Sequence, residues 1–195
     1  IESDVFNEDS KIENHVNIEE IKRTTEEAHP VPSELKATLF PYQTNGYNWL
    51  CYMLDQSEGC ILGDEMGLGK TMQVIATILY LKTKGDTPIL VVAPVSLLAN
   101  WQRECAKFAP SLNVFLHYGN HRTGNYRDLL NYDVIVSAYS TVVSDIYMLN
   151  MIKWRLVVLD EAQNIKNPYS QRTKSCKSLN RDRSIAVSGT PFENH

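Results

Sequence analysis

Two acidic residues follow directly on an apolar run in residues 156–167, LVVLDEAQNIKN. Leu156–Leu159 have the leucine and β-branched character of a buried strand, and Asp160 and Glu161 come immediately after them. A carboxylate in such surroundings costs several kcal/mol unless something compensates its charge. The pair therefore predicts that a cation is bound where this strand ends.

A glycine-rich loop upstream, in ILGDEMGLGKT (61–71), stands between an apolar strand and a helix. Gly67 and Gly69 would let backbone N–H groups point at a phosphate, with the N-terminus of the helix behind them. Lys70 is placed to reach the β- and γ-phosphates of a nucleotide, and Thr71 to offer its hydroxyl to Mg²⁺. The pattern predicts a P-loop.

The two motifs together indicate that the cation is a Mg²⁺ ion bound with a nucleotide. A Mg²⁺ bound to nucleotide phosphates would be held by Asp160, directly or through water, while Glu161 orients and polarises the attacking water. We therefore predict Lys70, Asp160 and Glu161 as the catalytic residues, and we expect Lys70 and Asp160 to follow neighbouring strands. An ordinary N-cap would explain an Asp at a strand–helix junction, but it leaves the upstream P-loop unexplained.

The elements that position these residues alternate between strands and helices. The predicted strands are apolar runs at residues 59–63, 89–94, 112–118, 133–138, 156–159 and 184–188. The first predicted helix begins at Pro41. The others lie near residues 72–79, 97–108, 126–130, 141–152 and 169–179. Strands that are apolar throughout are typical of a parallel sheet covered on both faces. The sequence predicts an α/β three-layer sandwich with a mainly parallel sheet, binding ligands at the carboxyl ends of its strands.

Charge is distributed unevenly along the 195 residues, a length typical of one domain. Residues 1–29 carry nine acidic and three basic side chains, a net charge of −6, so the remainder carries +2 of the total of −4. We predict an acidic lead-in or linker at residues 1–35, with prolines 30 and 32 marking its end, and a domain at 36–195. An acidic flap covering a basic face is the alternative.

Cysteine spacing and hydropathy bear on the class of protein. The four cysteines form no C-x-x-C pair, which favours free buried thiols over disulfides or a metal site. No apolar run approaches the roughly 18 residues of a membrane span, and no signal peptide opens the chain. We expect an intracellular protein, nuclear in a eukaryote and cytoplasmic in a prokaryote, without a membrane partner.

The ordered motifs resemble the first RecA-like lobe of Swi/Snf-family ATPases, a branch of helicase superfamily two, over residues 36–195. The motifs are LFPYQTNGYNWL (39–50, Q motif), DEMGLGKT (64–71, motif I), ILVVAPVSLLANWQRE (89–104, motif Ia), VIVSAYSTV (134–142, motif Ib), LDEAQNIKN (159–167, motif II) and SGTPFEN (188–194, motif III). Asp64 is the residue expected at its position in this family. Ala138, Ser140 and Gln163 depart from the commoner Thr, Glu and His.

The resemblance implies an ATP- and Mg²⁺-dependent enzyme that translocates on or remodels double-stranded DNA or protein–DNA complexes. It implies nucleotide binding by Gln43, which would read the adenine edge, and by Asp64, Gly67, Leu68, Gly69, Lys70 and Thr71. It implies metal binding by Thr71 and Asp160. It implies DNA-contact or coupling roles for Ser96, Ser137, Thr141, Gln163, Ser188 and Thr190. Trp101 lies on an apolar helix face, which favours a place in the core over base stacking.

The family also implies a partner within the same full-length protein. Its second RecA-like lobe supplies the arginines that stabilise phosphoryl transfer, a contribution of roughly 10³–10⁵ in rate. We therefore expect the present lobe alone to bind Mg·ATP weakly and to be nearly inactive in hydrolysis.

Three other interpretations remain open at the level of sequence. An RNA helicase of the DEAD/DEAH type would carry Thr-Arg after the proline of motif Ia, whereas Val95 and Ser96 follow Pro94 here. A nucleotide-gated binding module would not need Glu161. A P-loop kinase or metabolic NTPase would leave motifs Ia and III unexplained.

Overall fold

Short strands of parallel direction form a single sheet in the computed structural model, which describes residues 29–63 and 69–189. The strands are β1 (Gly59–Gly63), β2 (Ile89–Ala93), β3 (Val114–His117), β4 (Val134–Ala138), β5 (Leu156–Leu159) and β6 (Ser184–Ser188). Their order is β1-β6-β5-β2-β4-β3, and every pairing is parallel. The predicted acidic segment up to residue 28, Asp64, Gly67, Leu68 and Thr190 lie outside the described residues.

Helices cover both faces of this sheet. They are α1 (Pro41–Gln56), α2 (Lys70–Thr83), α3 (Val95–Phe108), α4 (Tyr126–Leu129), α5 (Tyr139–Ser144), α6 (Ile146–Leu149) and α7 (Gln171–Ser178). Two 3₁₀ turns are Gly119–His121 and Ala162–Ile165. In the part of the chain described, none of the helices combines the length and apolar character needed to cross a bilayer.

Alternate residues of β2 show why three layers form. Ile89 and Val91 pack in a core with α1, α2 and α3, whereas Leu90 and Val92 pack in a second core with α5 and α7 on the opposite face. All four side chains are fully buried, as expected when successive side chains of a strand point to opposite, covered faces. The predicted three-layer α/β sandwich with a mainly parallel sheet is confirmed.

The sheet order corrects one prediction. The last strand in the sequence, β6, lies between β1 and β5 and pairs with both. Lys70 follows β1 through the loop, and Asp160 directly follows β5, so these residues do not follow neighbouring strands. Because β6 lies between β1 and β5, it places Ser188 of motif III between the two residues, where its carbonyl oxygen accepts a hydrogen bond from Lys70.

The described end of the predicted lead-in packs on the domain. The Tyr47 hydroxyl donates to the carbonyl oxygen of Pro30 (3.1 Å), and the His29 ring is within 2.9 Å of the Asp55 carboxylate. Leu35 is buried in the core with α1. The boundary predicted at residue 35 therefore falls inside the packed region, because side chains on both sides of it contact α1 or the core.

The cysteines and the first helix follow the sequence predictions. The four cysteines are free and buried, and burial raises the pKa of the Cys60 thiol to about 12. Pro41 occupies the first turn of α1, where its missing N–H and fixed φ are tolerated. Tyr47, Leu50 and Leu54 form its buried face, as their spacing predicts.

Candidate nucleotide site

Lys70 is the first residue of α2 and lies at the carboxyl edge of the sheet. Its ammonium donates a hydrogen bond to the carbonyl oxygen of Ser188 (2.9 Å), and the residue is only 6% exposed. Ser188 is brought there by the parallel pairing of β6 with β1, in which it lies opposite Gly63. An ammonium group has three N–H donors, so this contact leaves donors for the oxygens of a phosphate.

Gly69 precedes Lys70 with φ +92°, a left-handed conformation that glycine adopts without strain. A Cβ at this position would lie 2.2 Å from Nε2 of Gln43. Gln43 itself is in the first turn of α1, where its Oε1 accepts a hydrogen bond from the backbone N–H of Phe40 (2.9 Å). The structure thus brings the predicted adenine-reading residue against the end of the phosphate loop; its contact with adenine stays a prediction.

Asp160 is buried at the end of β5 and has several hydrogen-bond donors around it. Its Oδ2 accepts from the indole N–H of Trp101 (2.7 Å), and its Oδ1 accepts from the backbone N–H of Glu161 (2.9 Å). Its carbonyl oxygen accepts from the Tyr139 hydroxyl (2.6 Å). Each carboxylate oxygen has a further lone-pair site, so the donors orient the group without exhausting it as an acceptor.

The electrostatics of Asp160 indicate a site that favours a bound cation. Burial raises the pKa of its carboxyl above the ordinary value, although hydrogen bonds from Trp101 and Glu161 and the charge of Lys70 oppose the increase. A buried carboxylate of this kind gains more from a divalent cation than an exposed one, because water screens it less. With the half-buried Thr71 on α2, it offers the oxygen ligands that Mg²⁺ prefers. The residues present fit the predicted metal ion.

Glu161 has a left-handed backbone, with φ 50° and ψ 53°. Such a conformation costs a non-glycine residue roughly 1–2 kcal/mol and is held only where its surroundings impose it. Asn164 supplies part of that constraint, because its side-chain amide and backbone N–H both donate to the Glu161 carbonyl oxygen (2.8 and 3.0 Å). Glu161 adopts this conformation at the junction between β5 and the 3₁₀ turn Ala162–Ile165.

A hydrogen-bonded path joins the lysine to this glutamate. The amide Nε2 of Gln163 donates to Glu161, and the Ser188 hydroxyl donates to Oε1 of Gln163 (3.2 Å). Since Lys70 donates to the carbonyl oxygen of the same serine, hydrogen bonds connect motif I to motif III and motif III to motif II. The path runs through the two described residues, Gln163 and Ser188, that the family resemblance assigns to coupling.

The predicted DNA-contact residues are placed differently from one another. Ser96 is exposed in the first turn of α3, but Thr141 is 6% exposed. Ser137 is fully buried and donates to the carbonyl oxygen of His117 (2.8 Å). The Ser137 hydroxyl is therefore not at the surface of this structure, because β4 is covered on both faces, and its role toward DNA stays a prediction. Ser140, on the first turn of α5, is exposed.

A glycine-capped lysine and two adjacent acids, Asp160 buried and Glu161 half-buried, lie at the carboxyl edge of one parallel sheet. This arrangement is typical of the P-loop class of nucleotide-binding domains. The chain belongs to the SNF2-related domain family, whose model matches residues 42–195.

Comparison with curated proteins and solved structures agrees with this assignment. The chain is 43% identical over 171 residues to YwqA of Bacillus subtilis (strain 168), named as an ATP-dependent helicase/translocase, covering 85% of this chain and 18% of YwqA. It is 40% identical over 179 residues to the chromatin-remodeling ATPase INO80 of Candida albicans, covering 85% of this chain and 13% of INO80. The chain thus spans less than a fifth of these relatives.

A solved structure extends the likeness to three dimensions. The Sulfolobus solfataricus SWI2/SNF2 ATPase core in complex with dsDNA superimposes with a TM-score of 0.78 and 38% identity. The match covers 85% of this chain and 35% of that one. The resemblance to Swi/Snf-family ATPases, drawn from the motifs, is confirmed.

Proposed function

We propose that this chain is the ATP-binding lobe of a DNA-dependent ATPase that translocates on or remodels double-stranded DNA or protein–DNA complexes. The observation that supports this most directly is the hydrogen-bonded path from Lys70 through Ser188 and Gln163 to Glu161. It joins the residue suited to bind phosphate to the residue suited to polarise water. Family membership supports the use of ATP, and the acid pair supports hydrolysis rather than binding alone.

The residues of the site have separate roles in this proposal. Lys70 binds the β- and γ-phosphates, together with backbone N–H groups of the loop that contains Asp64, Gly67, Leu68 and Gly69. Gln43 reads the adenine edge. When bound, Mg²⁺ neutralises phosphate charge during transfer. Thr71 and Asp160 would hold it through oxygen ligands.

Glu161 orients the attacking water and accepts its proton. In the structure its carboxylate is engaged by the amide of Gln163, so water must compete for an acceptor that already has a donor. Gln163 is in turn held by Ser188, whose carbonyl accepts from Lys70. A phosphate that draws the ammonium away from this carbonyl would loosen the path at Ser188 and make Glu161 available to water.

Duplex DNA is the proposed substrate track. The similar SWI2/SNF2 core was solved with dsDNA. In this chain Ser96 and Ser140 are exposed just beyond the carboxyl ends of β2 and β4. Hydroxyl contacts to phosphates would position the duplex without reading its sequence. Thr141, Gln163, Ser188 and Thr190 would link the track to the nucleotide, and a second RecA-like lobe would supply the arginines for hydrolysis. An intracellular location is part of the same proposal.

The remaining alternatives differ in substrate and reaction. The family match disfavours a kinase or metabolic NTPase and an RNA helicase of the DEAD/DEAH type. A nucleotide-gated binding module would share the fold, but it would not require the strained backbone that positions Glu161.

Equilibrium binding to labelled nucleic acids tests the choice of track. We expect the chain to bind a duplex DNA more tightly than a single strand or a duplex RNA, with affinity that falls as salt increases. Ser96→Ala should weaken the duplex interaction, whereas Ser178→Ala, remote at the end of α7, should not. A preference for RNA would contradict the proposed substrate.

A further inference from the structure

The helix that follows β2 connects the candidate DNA surface to the metal-binding aspartate. Ser96, in the first turn of α3, is exposed, whereas Trp101, five residues further, is 1% exposed and points into the core. Its indole N–H donates to Oδ2 of Asp160 over 2.7 Å, and Asp160 is 8% exposed. The indole ring has a single N–H donor, so the hydrogen bond fixes the position of that carboxylate oxygen relative to α3.

A second helix reaches the same aspartate from another strand. Tyr139 begins α5 after β4, is 2% exposed, and donates its hydroxyl hydrogen to the carbonyl oxygen of Asp160 over 2.6 Å. The next residue, Ser140, is exposed. Thus α3 and α5 each have an exposed serine in the first turn and also donate a buried hydrogen bond to Asp160, one to its side chain and one to its backbone.

We propose that Trp101 and Tyr139 are positioning residues through which duplex DNA and Mg·ATP influence each other's binding, by way of Asp160. The inference rests on the proposed function, because it assumes that Asp160 holds the metal ion and that α3 and α5 contact DNA. A small displacement of either helix on binding DNA would move a donor whose acceptor is the metal ligand. Partners of metal ligands commonly affect metal affinity by roughly 10–100-fold when they are removed.

The coupling is reciprocal by thermodynamic necessity. If DNA raises the affinity for Mg·ATP by some factor, Mg·ATP raises the affinity for DNA by the same factor. This route differs from the path through Gln163 and Ser188, whose donor reaches the Glu161 carboxylate and not that of Asp160. It therefore predicts an effect on metal and nucleotide binding, with no need for hydrolysis to observe it.

The chain offers matched controls for each hydrogen bond. Trp154 is fully buried in the other core, and its indole N–H donates to the carbonyl oxygen of Leu149 (3.0 Å). Tyr47 is fully buried, and its hydroxyl donates to Pro30 (3.1 Å). Tryptophan-to-phenylalanine and tyrosine-to-phenylalanine changes at these positions remove a comparable buried donor far from Asp160.

The experiment compares Trp101→Phe and Tyr139→Phe with Trp154→Phe and Tyr47→Phe. Binding of a non-hydrolysable ATP analogue is titrated at several Mg²⁺ concentrations, with and without saturating duplex DNA, and thermal unfolding is recorded for each variant. We expect Trp101→Phe to need about tenfold more Mg²⁺ for half-maximal nucleotide binding. We expect both Asp160-linked variants to reduce the effect of DNA on nucleotide affinity, while the controls keep it.

The outcomes separate this proposal from the function on which it rests. A wild-type chain that binds no Mg·nucleotide would contradict the proposed function itself. If wild type binds nucleotide but DNA leaves that affinity unchanged, or if Trp101→Phe matches wild type, the positioning role is overturned. Equal losses in all four variants, in proportion to their lowered unfolding temperatures, would also overturn it. Should Trp101→Phe fail to fold, Tyr139→Phe, which deletes a single oxygen, decides the question.

Discussion

Replacing Gly69 by alanine tests how the nucleotide site is built, because this residue satisfies two constraints at once. Its φ of +92° is unfavourable for any residue with a Cβ, and that Cβ would stand 2.2 Å from Nε2 of Gln43. Two non-bonded atoms cannot remain 2.2 Å apart, so either the backbone at position 69 must change conformation or the Gln43 amide must move. Both changes act on groups proposed to bind the nucleotide.

The expected cost follows from the two constraints. A left-handed conformation costs a non-glycine residue roughly 1–2 kcal/mol. Displacing Gln43 removes its hydrogen bond from the Phe40 N–H, worth about 1 kcal/mol. If the loop relaxes in the free protein and must regain its shape on binding, about 2–3 kcal/mol of affinity is lost. At about 1.4 kcal/mol per factor of ten, Mg·ATP should bind roughly 30- to 150-fold more weakly.

Isothermal titration with Mg·ATP, together with chemical unfolding, measures this cost. Gly85→Ala is a control for the backbone term alone, because Gly85 has φ +75° but open space where a Cβ would be. Gly124→Ala is a control for substitution itself, since Gly124 has open space and no positive φ. We expect Gly85→Ala to lower stability by about 1 kcal/mol without changing nucleotide affinity, and Gly124→Ala to change neither.

A double variant isolates the steric contact. In a Gln43→Ala background the amide that meets the new Cβ is gone, so Gly69→Ala should cost less unfolding free energy than it does in the wild type. If Gly69→Ala binds Mg·ATP as well as wild type and is as stable, the reasoning from φ and contact distance is refuted.

Three further predictions concern other parts of the chain. Wild type should prefer ATP to GTP in competition titrations because Gln43 reads the adenine edge, and equal affinities would count against that role. Glu161→Gln should abolish DNA-stimulated phosphate release by the full-length protein while leaving ATP bound, and a hydrolysing variant would exclude Glu161 as the group that activates water. Burial raises the pKa of Asp145, but hydrogen bonds from Arg122 and His117 lower it more, so its pKa lies below the ordinary value. Its contribution to stability is therefore complete above the unfolded pKa of about 3.9 and is lost as pH falls through the lower folded value. Asp145→Asn should destabilise the protein by roughly 1–3 kcal/mol at neutral pH. Measured by urea unfolding, the difference in free energy of unfolding between this variant and wild type should become smaller below about pH 4.

The strands and long helices could be predicted because each is encoded by a local pattern. The runs at 59–63 and 184–188 coincide with β1 and β6, since each is a short apolar stretch with polar or glycine boundaries. The order of strands was not local information. Nothing within SIAVS indicates that it inserts between β1 and β5, and this insertion is what places Ser188 on Lys70.

The region predicted as one helix at 141–152 shows where local patterns fail. The structure has α5 and α6 there, separated at Asp145. The carboxylate of Asp145 accepts hydrogen bonds from Arg122 and from His117 (2.7 Å to Nε2), which come from a distant part of the chain. Periodicity within the segment contains no information about these partners.

In the candidate site too, the residues could be predicted from local motifs, but their contacts across the fold could not. Lys70, Asp160 and Glu161 could be predicted, because their motifs are contiguous and their chemistry follows from residue type. Trp101 was predicted as a core residue, and it is one, but its hydrogen bond to Asp160 depends on how α3 crosses the sheet. Ser137 was assigned to the DNA surface from its motif, whereas a serine in a doubly covered strand is buried whichever face it occupies.

Titration of the chain with ATP in the presence and absence of Mg²⁺ tests the central claim most directly, using wild type, Lys70→Ala and Lys84→Ala. Lys84 is a matched control because it also lies at an end of α2, where it pairs with Asp55 at the surface. We predict saturable binding that requires Mg²⁺ in wild type and Lys84→Ala, and clear weakening in Lys70→Ala because its phosphate contacts are lost. Equal affinity of Lys70→Ala and wild type, or binding indifferent to Mg²⁺, would contradict a phosphate and metal site at this edge of the sheet.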